Sequence, residues 1–119
     1  MALLAAGLVL AACGGDEPAD EAAAGCATVS AGEVTVVAED LAWDPKCIEA
    51  PAKEPFTIVV DNRDDGIAHN IHLLEAPEPN ATELENGPVT QELELTLVAG
   101  EYRYVCDIHP NMTGTLSVG

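Results

Sequence analysis

Residues 92–106 read ELELTLVAGEYRYVC. Leu93, Leu95 and Leu97 alternate with Glu92, Glu94 and Thr96. Successive side chains on a strand point to opposite faces, so this period of two predicts a strand with one face buried and one in water. After the turn at Ala99-Gly100 the period resumes: Tyr102, Tyr104 and Cys106 share one face, Arg103 and Val105 the other. Val34 and Val36 alternate with Glu33 and Thr35, Phe56, Ile58 and Val60 alternate along PFTIVVD, and Leu116 and Val118 close the chain in a last strand. Turn residues separate these runs at Asp44-Pro45, Ala50-Pro51, residues 61–66 and the loop 77–88. No helical period competes, although residues 75–85 leave room for a short helix, and no internal repeat is visible. Seven or eight short strands in about 95 residues predict an all-β fold, an antiparallel Greek-key β-sandwich.

The chain has 119 residues, enough for one domain. Its first thirteen, MALLAAGLVLAAC, are apolar and uncharged. A membrane-spanning helix needs about 20 such residues, so this run reads as the apolar part of a secretory signal. Leu10-Ala11-Ala12-Cys13 resembles a bacterial lipobox, in which the cysteine receives lipid. No Lys or Arg precedes the run, where a signal is normally basic, and the true start is expected upstream of Met1. Residues 14–25 carry four acids and no branched or aromatic side chain, as a solvated tether would. The expected organisation is a signal with lipobox over 1–13, an acidic flexible tether over 14–25 and a folded domain over 26–119. The protein is expected outside the cytoplasmic membrane, lipid-anchored, with no other membrane contact.

Formal net charge is −17, with only Lys46, Lys53, Arg63 and Arg103 on the basic side. This argues against nucleic acid and against adhesion to anionic lipid heads, and it allows a basic protein partner. Solubility or adaptation to high salt accounts for the acids equally well. Of the four cysteines, Cys13 is taken by the lipobox and Cys106 by the motif that follows. Cys26 and Cys47 remain, and in an exported protein two spare cysteines pair. Their bridge closes a loop of about twenty residues, worth ~3 kcal/mol on chain-entropy grounds.

The chemistry concentrates in Cys106-Asp107-Ile108-His109-Pro110-Asn111-Met112, a C-x2-H-x2-M spacing. Alternation points Cys106 into the sandwich at the end of a strand, and the break at Pro110 folds a tight loop that brings His109 and Met112 back towards the sulfur. His69 lies 37 residues earlier and closes the site from the side, because strands distant in sequence are neighbours in a Greek key. A thiolate, two imidazoles and a weak thioether suit a blue copper site. His72 is offset by three from His69 and is expected on the other side of its strand, structural or solvent-exposed. Trp43, Tyr102 and Tyr104 are expected in the core.

These residues carry a resemblance to the cupredoxin family. CDIHPNMTGTLSV resembles the copper loop and last strand of its members, GEYRYVC the strand entering that loop, and His69-Asn70 the first ligand with the Asn that follows it. The short loop is similar to that of amicyanin, whereas plastocyanin-type loops place the Met farther on. The resemblance spans residues 33–119. It implies a monomeric one-electron carrier, not an enzyme, with one type 1 copper ligated by His69, Cys106, His109 and axial Met112, and with redox proteins as partners. It also implies the exposed edge of His109 as the electron port. Where family members often have Ser or Thr after the ligand Cys, this chain has Asp107. An Asp still bonds to Asn70, and its charge beside copper favours Cu(II).

Two other classes compete. Tyr104-x-Cys106 resembles the F strand of an immunoglobulin domain, which implies a binding module with Cys106 bridged to Cys26 or Cys47. Trp43 precedes Cys47, however, where such a domain needs its Trp between the paired cysteines, and Cys26 lies awkwardly far from Cys106. A copper chaperone or store is the second, but such proteins offer several Met and His, and this chain has only Met1 and Met112 as methionines. Enzymes with additional copper centres need His-x-His pairs, and none occurs here.

Overall fold

In the computed structural model, residues 25–119 are described. The expected signal with Cys13, and tether residues 14–24, lie outside the described residues. The order of elements is β1 (Cys26–Thr28), β2 (Glu33–Glu39), β3 (Ala42–Asp44), β4 (Cys47–Ala50), β5 (Phe56–Asn62), β6 (Ala68–His69), β7 (His72–Leu73), β8 (Glu85–Asn86), β9 (Val89–Leu95), β10 (Gly100–Cys106) and β11 (His109–Val118). Three of these have two residues each, and the eight longer strands match the expected count. One sheet has the order β1-β4-β11-β10-β7, the other β3-β2-β5-β9, and β6 pairs with β8 apart from both.

Alternation decides which side chains fill the space between the sheets. From one sheet come Val34, Val36, Ala38, Trp43, Phe56, Ile58, Val60, Leu93 and Leu95, all buried. The other contributes Ile48, Ala50, Leu73, Tyr102, Tyr104, Cys106, Met112, Leu116 and Val118. Each buried aliphatic side chain is worth about 1.5–3 kcal/mol, so a one-residue slip that turned a strand inside out would forfeit most of the core. That penalty fixes the register that delivers Cys106 inward.

Two expectations need correction. The sheets are mixed, with β1–β4, β4–β11 and β2–β5 parallel. Hairpins make antiparallel neighbours, but the chain leaves β3 for the opposite sheet as β4 and returns as β5, and such a crossover sets β5 parallel to β2. The described residues also contain no helix, and 75–84 form turns and irregular backbone before β8. Pro77 and Pro79 lack amide donors and Glu75 sits at φ 66°, both against a helical turn.

Close approach explains one glycine. A Cβ at Gly114 of β11 would collide with the Tyr104 ring, which lies flat across that position and donates its hydroxyl to Pro45 O at 2.6 Å. Cys26 and Cys47 are register partners on β1 and β4 and are joined by a disulfide with Cα atoms 4.6 Å apart.

Candidate metal centre

β10 carries Cys106 to the edge of the core, where it is 2% exposed. The ladder to β11 shifts register between Val105 and Cys106, so Cys106 pairs with His109 across a tight turn at Asp107-Ile108. This places the sulfur and the ring of a nearby residue side by side. His69 ends β6, held there by the β6–β8 pairing, and is 1% exposed. Its Nδ1 lies 3.1 Å from Nδ1 of His109 and 3.8 Å from the Cys106 sulfur, which is 3.4 Å from Nδ1 of His109. His69, Cys106 and His109 form the one such cluster of potential metal ligands among the described residues. Met112 follows in the inward phase of β11, 1% exposed, and lines a recess of about 170 Å³ with Leu41, His109, Pro110 and Asn111. Trp43 donates Nε1–H to Met112 O at 3.1 Å and packs against His69 and Tyr104.

Polar neighbours hold these groups. Asn70 donates to the Asp107 carboxylate at 2.8 Å and accepts the Asp107 amide at 2.9 Å, which locks the residue after Cys106 to the residue after His69. The other Asp107 oxygen meets Nδ1 of His72 at 2.8 Å. Hydrogen bonds from His72 and Asn70 hold the Asp107 carboxyl below the ordinary carboxylate range. His72 is half-buried and stays out of the cluster around the sulfur.

Sequence reasoning missed Asp64. It is buried, and its Oδ2 lies 2.7 Å from Nε2 of His69. Burial opposes its charge, yet hydrogen bonds from His69 and from the amides of Leu41 and Asp40 keep its pKa below the usual value. The only signal was an acid five residues before His69, in a stretch that reads as turn.

The donor set fits copper. Three donors at about 2.0–2.3 Å from one first-row ion stand on the order of 3.5 Å from each other, close to the separations observed here. Soft sulfur with imidazole is the combination copper prefers. Cys106 is free while Cys26 and Cys47 are paired, so the bridge an immunoglobulin-type domain would make to Cys106 is not formed.

The chain matches the cupredoxin-like domain over residues 2–118. It belongs to the cupredoxin-like family. The sandwich superposes on other cupredoxin-like structures at low sequence identity. Reduced auracyanin from Roseiflexus castenholzii is 18% identical, with a TM-score of 0.66 over 76% of this chain and 98% of that one. Auracyanin A, a "blue" copper protein from Chloroflexus aurantiacus, is 26% identical, with a TM-score of 0.64 over 73% of this chain and 98% of that one. The copper-containing nitrite reductase of Thermus scotoductus is 22% identical, with a TM-score of 0.61 over 82% of this chain but only 28% of the enzyme. No curated protein matches the chain by sequence.

Proposed function

We propose that this cupredoxin-like protein carries single electrons through one type 1 copper, which His69, Cys106, His109 and Met112 would hold. The observation that carries this reading is the convergence of two imidazole Nδ1 atoms on one buried cysteine sulfur. Copper supplies a one-electron couple there. Cys106 contributes a thiolate shut away from solvent, which protects it from oxidation chemistry. The sandwich holds the donors in place in both oxidation states, and a site that need not rearrange has a low barrier to transfer. His109 is half-buried where His69 is fully buried, so its ring is the one a partner protein can approach. Exposed Leu41 and Ile108 flank it in the recess and the loop and give a partner apolar surface to dry.

Partners on this reading are redox proteins, with a charge of −17 suited to a basic one. The domain over 26–119 acts as a monomer and not as an enzyme. It is held outside the cytoplasmic membrane by lipid on Cys13 through the 14–25 tether. No helix among the described residues is long and apolar enough to cross a membrane.

An optical spectrum tests the centre. The oxidised, copper-loaded protein is expected to show intense thiolate-to-copper charge transfer at one copper per chain, and Cys106→Ser to lose it. A full band in the serine variant refutes the ligand set. The anchor is tested by mass: Cys13→Ser protein is expected to leave the membrane fraction, and mature wild type without lipid mass contradicts the anchor.

A further inference from the structure

Three donors converge on the two oxygens of Asp64. The Asp40 amide donates to Oδ1 at 2.7 Å, while the Leu41 amide at 3.0 Å and Nε2–H of His69 at 2.7 Å share Oδ2. An ionised carboxylate only accepts, so it satisfies all three, whereas an Asn would turn its own N–H groups on one of them. With Nε2 of His69 as the donor to this carboxylate, Nδ1 is the ring nitrogen left to ligate, and Nδ1 is the atom that faces Cys106 and His109.

The other two donors belong to the hairpin between β2 and β3. Glu39 pairs with Ala42, which leaves Asp40 and Leu41 as a two-residue turn at φ 55° and 59°. Such turns favour Asn and Gly, and a leucine in the left-handed region is strained. Leu41 is nevertheless 47% exposed and lines the recess beside His109. The carboxylate that binds both turn amides therefore compensates the strain and keeps this leucine where a partner meets the port.

We propose that Asp64 is the positioning residue of the centre: it fixes the Nδ1-ligating form of His69, favours Cu(II) through a buried negative charge, and ties the Leu41 hairpin to the same ligand. The inference rests on the copper reading above. It goes beyond that reading by making one carboxylate responsible for both the potential and the shape of the surface around His109.

The test compares the full-length chain with Asp64→Asn and with Asp65→Asn, which removes a charge from the exposed neighbouring position. Asp64→Asn is expected to shift the Cu(I)/Cu(II) balance tenfold or more towards Cu(I), a potential about 59 mV higher. Its Cu(II) affinity is expected to fall ten- to a hundredfold. Amide exchange at Asp40 and Leu41 is expected to accelerate at least tenfold. Asp65→Asn is expected to leave all three close to wild type. A potential in Asp64→Asn no higher than in Asp65→Asn overturns the proposal, as do unchanged exchange rates. If Asp64→Asn does not fold, NMR of the reduced wild type decides: a His69 Nε2–H proton protected from exchange supports the proposal, and an unprotonated Nε2 overturns it. A copper-loaded wild type without a charge-transfer band would instead remove the copper reading itself, so the two failures are distinguishable.

Discussion

The two imidazoles of the site face the same sulfur with the same ring atom, but they are held in different ways. His69 is 1% exposed, ends a two-residue strand, and has its far nitrogen on a buried carboxylate. His109 opens β11 just after the turn that follows Cys106, half-buried at the rim of a recess. One ring is built into the protein and the other is built into its surface. On the proposed function, a site that holds copper firmly and still passes electrons to a second protein needs both kinds, since a fully enclosed centre is remote from any partner and a fully exposed one is easily displaced.

The largest effects should come from removing each ring in turn. His69→Gly and His109→Gly are both expected to lose the charge-transfer band. Free imidazole is then expected to restore it in His109→Gly, where the vacated space opens to solvent through the recess. In His69→Gly the space is closed to solvent, since His69 is 1% exposed and Trp43 packs against its ring, so the same imidazole concentration is expected to restore little. Equal recovery in the two variants would break the distinction between the buried and the surface arm.

Met112 offers a smaller perturbation that leaves both arms in place. A thioether binds Cu(I) comfortably and Cu(II) weakly. Met112→Gln supplies a harder donor and is expected to lower the potential, whereas Met112→Leu removes the donor and is expected to raise it. A shift of about 59 mV corresponds to a tenfold change in equilibrium, or ~1.4 kcal/mol, which voltammetry resolves. If both variants keep the native potential, Met112 serves packing alone. In either variant the His69 and His109 comparison should be unaffected, because neither ring depends on the thioether for its hydrogen bonds.

The surface arm was legible in the sequence and most of the buried arm was not. Cys106, His109 and Met112 lie within seven residues, and strand alternation states which way Cys106 points. His69 was read as the donor that closes the site from a distant strand, and from the likeness of His69-Asn70 to the family's first ligand and the Asn that follows it. Asp64 was out of reach for a physical reason. Residues 61–66 contain three acids in a turn, and no periodicity says which of them bends inward to meet a ring on a separate strand. The parallel pairs escaped for a related reason: alternation gives the face of a strand but not the sheet to which the next crossover carries it. The prolines and acids of 75–85 are as compatible with loop as with helix in composition, and the backbone at Glu75 decided the matter. Cys26 and Cys47 were recoverable by elimination, since the chemistry of the other cysteines left no other pair.

The smallest expected effect comes from a second carboxylate near the sulfur. Asp107 and Asp64 each meet a histidine at nearly the same distance, 2.8 and 2.7 Å. Their surroundings differ: the Asp107 side chain is 45% exposed, and its histidine, His72, stands clear of the metal-binding cluster. Water and mobile ions screen an exposed charge far more than a buried one, so Asp107 should favour Cu(II) less strongly than Asp64. Serine at 107 keeps the amide that Asn70 accepts and offers a hydroxyl to the same side chain, so the link between the segments of His69 and Cys106 survives. Asp107→Ser is therefore expected to raise the potential by less than the tenfold equilibrium change assigned to Asp64→Asn, and to leave the band and the copper stoichiometry intact. Added salt should shrink the difference between Asp107→Ser and wild type while leaving the Asp64→Asn shift in place, because only the exposed carboxylate is open to screening. Voltammetry of the three proteins at low and high ionic strength reads both effects. A potential unchanged by Asp107→Ser at low salt would mean that its charge is neutralised where it stands, and a shift as large and as salt-resistant as that of Asp64→Asn would mean that burial is not what separates the two carboxylates.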